Sequence, residues 1–277
     1  MIKVGVRGLL SKLSSAYRRV PEGVRDVLIT ILVAVILIVS LYAYTQNWPP
    51  LVVIESGSMR HSKDSQIGVI DAGDMVLVKK IHSRHDVVTY VEGRKIGYVR
   101  YGGYGDVIIY RKNGYTDITP VIHRAIVWVE YNDSSGNFDA PDLGLYNVSQ
   151  IIIDNYFRDG RALVINLSAV PKNSGFITMG DNNGMYDQAW MSDGHGRRVG
   201  PIMVEWVVGK AVGEIPWFGG IKLYLTDKNP RDGYGKEAVP DNSWRNLKIS
   251  IIILITIPIT ADIVSYVIAK RKKKSEE

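Results

Sequence analysis

Residues 120–131 read PVIHRAIVWVEY, and the alternation within them decides the fold. Successive side chains of a strand point to opposite faces, so Val121, His123, Ala125, Val127 and Val129 share one face of a strand. Similar short stretches, rich in valine, isoleucine and tyrosine, lie on both sides. They are PLVVIE (50–55), DMVLVKKI (74–81), DVVTYV (86–91), DVIIYR (106–111), ALVINL (162–167), GFITMG (175–180) and VVGKAVGEI (207–215). Glycine, asparagine and aspartate separate them, which is the punctuation of strands and turns, whereas helical periodicity is scarce. A mainly β domain is predicted, without an internal repeat. The segment 131–165 is polar at both ends and reads as an insertion, a long connection or small lobe outside the core.

Outward from this domain the chain turns apolar twice. Residues 27–46 begin VLITILVAVILIVSLYAY without a charge, enough for the ~20 residues of helix that cross a bilayer. Residues 247–269 form a second predicted span, carrying Pro258, expected to kink it, and Asp262. An ionisable side chain at that depth either marks an intramembrane site or is accommodated by protonation, snorkelling or pairing, and the second reading is preferred. The flank TQNWPPLVV (45–53) lacks the small-residue pattern of a cleavage site, so the first span reads as a retained anchor and not as a cleaved signal sequence.

Charge gives the orientation. Residues 1–26 carry six basic and two acidic side chains, residues 270–277 five basic and two acidic, so the formal +6 of the chain leaves −1 for everything between. Basic flanks stay in the cytoplasm. The chain therefore divides into a basic cytoplasmic segment 1–26, a membrane helix 27–46, an extracytoplasmic β-rich domain 47–246, a second membrane helix 247–269 and a basic cytoplasmic tail 270–277. An integral protein of the cell membrane with both termini inside and the domain on the outer face is expected. The positive charge sits in the tails, which favours anionic lipid as partner and argues against nucleic acid. Asn-x-Ser triplets at Asn132, Asn147 and Asn166 fit a domain outside the cytoplasm. The absence of cysteine removes disulfides, a thiol nucleophile and thiolate metal sites.

The stretch SGSM (56–59) follows PLVVIE. Two serines around a glycine form either an exposed turn or a nucleophile, and the second needs a base to take the proton. His61, His82, His85 and His195 lie in polar or glycine-rich surroundings and read as solvated, whereas His123 projects from a strand with an apolar set. It is either a core-edge histidine satisfied by backbone groups or a general base on a rigid support. A carboxylate should orient such a base, and TMGDNNGMYDQ (178–188) offers Asp181 and Asp187. Asp181, in a Gly-Asp-Asn-Asn turn, is equally a turn-former bonded to its own backbone.

Four blocks in this order, SGSM (56–59), GDVIIYR (105–111), VIHRAI (121–126) and ITMGDNN with Asp187 (177–187), resemble type I signal peptidases of the archaeal and endoplasmic-reticulum kind. The stretch VVGKAVGEIPWFGGIKL (207–223) resembles the family's closing strand region. The resemblance implies a membrane-anchored signal-peptidase-like β domain with Ser58 as nucleophile and His123 where bacterial relatives have a lysine. Asp187 would be the acid tied to His123 and Asp181 a supporting carboxylate. The Ser58 N–H and the Ser56 hydroxyl would bind the oxyanion, with Gly57 letting both approach. Lys79 and Lys80 would be ordinary strand residues, and neither cofactor nor metal is implied.

The implied activity is removal of N-terminal signal peptides from secretory preproteins, cut after small residues, through an acyl-enzyme. Departures are the RHSKDSQIG (60–68) that follows the serine block, the insertion between His123 and Asp181, and the second span. The insertion suits contact with other secretion components, so the alternative reading is a catalytically silent membrane-anchored β domain in a secretion assembly.

Overall fold

The computed structural model describes residues 21–227 and 233–275. Most of the basic segment 1–26, its residues 1–20, and the last two residues of the 270–277 tail lie outside the described residues. The chain divides into two compact units, residues 1–50 and 51–277.

The first unit carries one helix, α1 (Glu22–Thr45), of 24 residues. At ~1.5 Å per residue it is ~36 Å long, more than a hydrocarbon layer. Its apolar side chains are exposed along its length. Its two threonine hydroxyls donate to the helix backbone, Thr30 Oγ1 to Asp26 O at 2.9 Å and Thr45 Oγ1 to Leu41 O at 2.7 Å, so neither is left unsatisfied. The helix ends at Gln46, in the left-handed conformation, whose N–H donates to Tyr42 O at 2.7 Å.

The second unit contains, in chain order, β1 (Leu51–Val53), β2 (Met75–Lys79), α2 (Tyr90–Ile96), β3 (Val99–Arg100), β4 (Gly103–Tyr104), β5 (Val107–Tyr110) and β6 (Val121–Asn132). Then follow β7 (Asn137–Ala140), β8 (Leu145–Val148), β9 (Gln150–Ile153), β10 (Leu163–Asn166), β11 (Gly175–Met179), α3 (Asp187–Trp190), β12 (Val207–Ile215), α4 (Gly219–Thr226) and α5 (Asp241–Ser275). The main sheet has the order β1-β2-β12-β5-β6-β7-β8, with β11 also on β6, and every pairing is antiparallel. The small ribbons β9–β10 and β3–β4 stand apart from it.

The alternation in 120–131 yields a strand, yet residues 123–127 are buried on both of its faces. Ala125 joins Ile108, Tyr110 and Phe176 on one face, but a bulge at Ile126, where Val127 pairs with Ile177 and Ala125 with Thr178, turns Val127 and Val129 to the other face and into the largest apolar cluster. Those two therefore do not share the face of Ala125 as the alternation implied, and the strand is covered on both sides. That cluster corrects the reading of 131–165 as peripheral. Phe138, Ala140, Ile151, Ile153, Leu163 and Ile165 are all buried in it. The polar residues that suggested a loop sit at the hairpin tips. At the first of these, Asn132 Oδ1 accepts the Ser134 and Ser135 N–H groups and Gly136 takes φ +70°.

A second correction concerns DVVTYV. Asp86 closes a short 3₁₀ turn and Tyr90 and Val91 open α2. Thr89 caps it, its hydroxyl accepting from Glu92 N while the Glu92 carboxylate accepts from Thr89 N, and Gly97 at φ +73° ends it.

The helix α5 begins at Asp241 and runs 35 residues, with Pro258 inside it. Its first turns belong to the domain. Ser243 and Leu247 are buried, and the Asn242 side chain bonds both the N–H and the carbonyl of Ser65 at 2.9 Å. From Ile252 to Lys272 its side chains are exposed. Two helices are thus long and apolar enough to cross a membrane, Gly23–Thr45 and Asp241–Lys272 by their apolar extents.

Candidate active site

Three adjacent strands build the floor of the site by register. On β6, His123 lies opposite Ile108 of β5, and Ala125 lies opposite Thr178 of β11. Side chains two residues apart share a face, so Tyr110, His123 and Thr178 project to the same side. Asp187 opens α3 just beyond the turn after β11 and is fully buried. Its Oδ2 receives three hydrogen bonds, from His123 Nδ1, Tyr110 Oη and Thr178 Oγ1, each at 2.7 Å. An ionised carboxylate can only accept, so the proton of the imidazole sits on Nδ1 and Nε2 is left as the acceptor. That nitrogen faces Ser58 Oγ at 3.0 Å. Burial, and then the Asp187 charge, hold the Tyr110 phenol well above its ordinary pKa, so it remains a donor to the carboxylate.

Ser58 lies in the turn that follows β1. The next residue, Met59, is fully buried against Ile54, Ile70, Val76 and Val107, and this apolar anchor fixes the hydroxyl in place. From the other side Asn182 donates its backbone N–H to Ser58 O at 2.8 Å and its Nδ2 to Gly57 O at 3.1 Å. Ser56 Oγ stands 3.2 Å from Ser58 Oγ. Gly57 lies outside the left-handed region, and a Cβ there would meet only the flexible Arg60 side chain at 3.2 Å. The glycine that the geometry demands is Gly180, where a Cβ would stand 2.8 Å from His123 Nε2 and 2.7 Å from Ser58 O.

Asp181 makes no hydrogen bond to His123. Its Oδ1 accepts from Arg124 Nε at 2.8 Å, and its Oδ2 from Arg124 Nη2 at 2.5 Å and from His61 Nε2 at 2.9 Å. Burial alone would raise its pKa, but the Arg124 charge and these hydrogen bonds outweigh it and hold the carboxyl below its ordinary value. Arg124 follows His123 on β6 and therefore points to the opposite face. There its Nη1 gathers the carbonyls of Arg100 at 3.0 Å and Gly105 at 2.9 Å, among others, tying the β3–β4 ribbon to the Asp181 turn. His61 is consequently half-buried and bonded, contrary to the solvated reading of its sequence surroundings. His195 is exposed and pairs with Asp117 at 3.2 Å. Lys79 and Lys80 lie at the end of β2.

The structure thus brings Ser58, Ser56, His123 and Asp187 together and sets Asp181 in a neighbouring ion pair. Tyr110, Thr178 and Gly180 are site residues that the pattern alone did not single out. All three stand inside quoted blocks, but their roles depend on cross-strand register. A hydroxyl bonded to an imidazole that is itself oriented by a buried carboxylate can deliver an alkoxide-like nucleophile and return the proton to a leaving group. No protein-family model matches the chain, and no curated protein sequence matches it either.

Proposed function

We propose that the protein is a membrane-bound serine endopeptidase that removes N-terminal signal peptides from secretory preproteins. The observation that carries this reading is the continuous hydrogen-bonded line from Ser58 Oγ through His123 Nε2 and Nδ1 to Asp187 Oδ2, at 3.0 and 2.7 Å. Ser58 Oγ attacks the scissile carbonyl while His123 takes its proton. The imidazolium is stabilised by Asp187 and then protonates the departing amine, leaving the signal peptide as an ester on Ser58. Water, deprotonated by His123, hydrolyses that ester. Ser56 Oγ and the Ser58 N–H are assigned to the oxyanion, each donor of this kind contributing roughly 3 kcal/mol in the transition state. Asp181 is assigned a positioning role, holding the Asn182 turn against Ser58 through Arg124 and His61.

The substrate class rests on the membrane setting. Ser58 follows Thr45, the last residue of α1, by thirteen positions, a reach of at most ~45 Å, and α5 returns from the same domain as a second apolar helix. Such an enzyme meets bonds just outside the bilayer, where the apolar segment of a signal ends and its small residues begin. The basic flanks assign both termini to the cytoplasm and the domain to the outer face of the cell membrane.

The test is cleavage of a preprotein by the full chain in detergent, with product masses. Cleavage after a small residue is expected from the wild type and from His195→Ala, with loss in Ser58→Ala and His123→Ala. Equal rates in Ser58→Ala would remove Ser58 as nucleophile. Failure of the wild type on proven preproteins would favour a silent membrane-anchored domain of a secretion assembly.

A further inference from the structure

The helices α4 and α5 border a groove of about 680 Å³. Along α5 it is lined by Asp241, Trp244, Leu247, Lys248 and Ile251, at three- and four-residue spacings, so it follows one face of that helix from its first residue. Ten residues of helix rise ~15 Å, and the far end of the groove therefore reaches the apolar run that begins at Ile249.

The opposite wall is α4. Ile221, Tyr224 and Leu225 share one of its faces and are 40, 70 and 72 % exposed. The helix is held in this orientation by its other side. Leu223 is buried with Ala72, Ala238 and Val239, Lys222 pairs with Glu55 at 3.1 Å, and Gly220 lies so close to Trp244 that a Cβ would stand 3.3 Å from the ring. Three large apolar side chains fixed on the outside of one short helix make the kind of surface that marks an interaction site.

Continuity and chemistry name the occupant. The groove adjoins the exposed apolar side chains that α5 carries from Ile252, so an α5 that crosses a bilayer sets the groove where the acyl chains begin. At that level Tyr224 and Trp244 meet edge to face at 6.2 Å beside the exposed Lys248. Aromatic rings and long basic side chains at the end of an apolar run are the composition of a membrane–water interface. Lys236 and Lys248 are balanced in the lining by Glu237 and Asp241, so the groove has no net charge with which to select an anion.

We infer that this groove takes the acyl chain of a phospholipid in the leaflet next to the domain, with α4 lying in the membrane surface beside the point where α5 enters it. The inference rests on the membrane half of the reading above, α5 as a span, and not on the chemistry of Ser58.

The chain has no cysteine, so single cysteines report depth without background. Full-length Leu225→Cys, Ile257→Cys and Val164→Cys chains, each labelled with the fluorophore NBD, are placed one per nanodisc of phosphatidylcholine. Quenching by nitroxides on the lipid chain, near the headgroup or near the chain end, is compared with quenching by iodide in the water. The label at 225 should be shielded from iodide and quenched best by the shallow nitroxide, at a depth of ~5–10 Å. The label at 257 should lie deeper, and that at 164, on the exposed face of β10, should answer to iodide alone. Adding phosphatidylglycerol should leave all three unchanged.

Iodide quenching at 225 equal to that at 164, with 257 in lipid, would overturn the groove and leave the span. So would shielding of 225 from both kinds of quencher, which in a disc holding one chain would mean that the protein itself covers the groove. Entry of 225 into lipid only when phosphatidylglycerol is present would overturn it as well, marking a site for headgroup charge. A label at 257 open to iodide would end the span and the groove together.

Discussion

One methyl group at residue 180 tests the closeness of the reacting groups. The Cβ of Gly180→Ala would press on His123 Nε2 and Ser58 O, at 2.8 and 2.7 Å, and the ring or the serine loop must give way. A fall in kcat/KM of ~100-fold or more is expected, with a thermal midpoint near the wild type because the clash is local. Full activity in this variant would mean that the arrangement around His123 is not the working one. The hydrogen-bonded trio was legible in the sequence because Ser58, His123 and Asp187 sit in short blocks whose order carries a resemblance. The partner of Asp181 was not. Arg124 and His123 are adjacent in sequence and opposite in direction, so only the pairing of β6 with its neighbours shows which carboxylate each one meets.

At the level of elements, the segment 131–165 is where sequence and structure part. Its strands are four residues each, and its buried set is spread over hairpins whose tips are polar, so a linear pattern shows the tips and hides the packing. Ile165 is fully buried in the main cluster, whereas Val164 is exposed. Ile165→Ala should cost ~2–5 kcal/mol in denaturant unfolding and Val164→Ala ~0.5 kcal/mol or less. Equal small losses would return the segment to the periphery. The helix α2 had a legible signal, since Thr89-x-x-Glu92 is a capping box, but the valines around it imitate a strand.

Asp74, in the turn before β2, fastens that strand to the β12–α4 connection by accepting N–H groups from Trp217 and Asp71, both at 2.8 Å. Its pKa is raised from 3.8 to about 7, chiefly by burial, which outweighs the two backbone hydrogen bonds that lower it and is reinforced by the charges of Asp71 and Glu214. A carboxyl raised by folding favours the folded state when protonated, so this contribution is present below its unfolded value and is lost as pH rises from about 4 to about 7. Asp74→Asn cannot ionise but keeps one acceptor. It should melt below the wild type at pH 4, and the gap should narrow by pH 8. An unchanged gap across that range would contradict the buried-acid account.

On the scale of the whole molecule, composition already outlined the two long apolar helices, because an apolar run of membrane length is a property of a linear chain. The way α5 joins the domain was hidden, since Asn242 and Ser243 look like a continuation of the polar flank and Leu247 like the start of the apolar run, until Ser65 and the α4 region are placed against them. The central claim is that this protein holds the signal peptide as an ester on Ser58. The most direct measurement reconstitutes the full chain with a preprotein in one bilayer, quenches the reaction in acid during turnover, and maps adducts by peptide mass spectrometry. The account predicts the signal-peptide acyl group on Ser58, absent when His123 is replaced by alanine. Continued cleavage with no adduct at Ser58, or with the adduct on another residue, would contradict it.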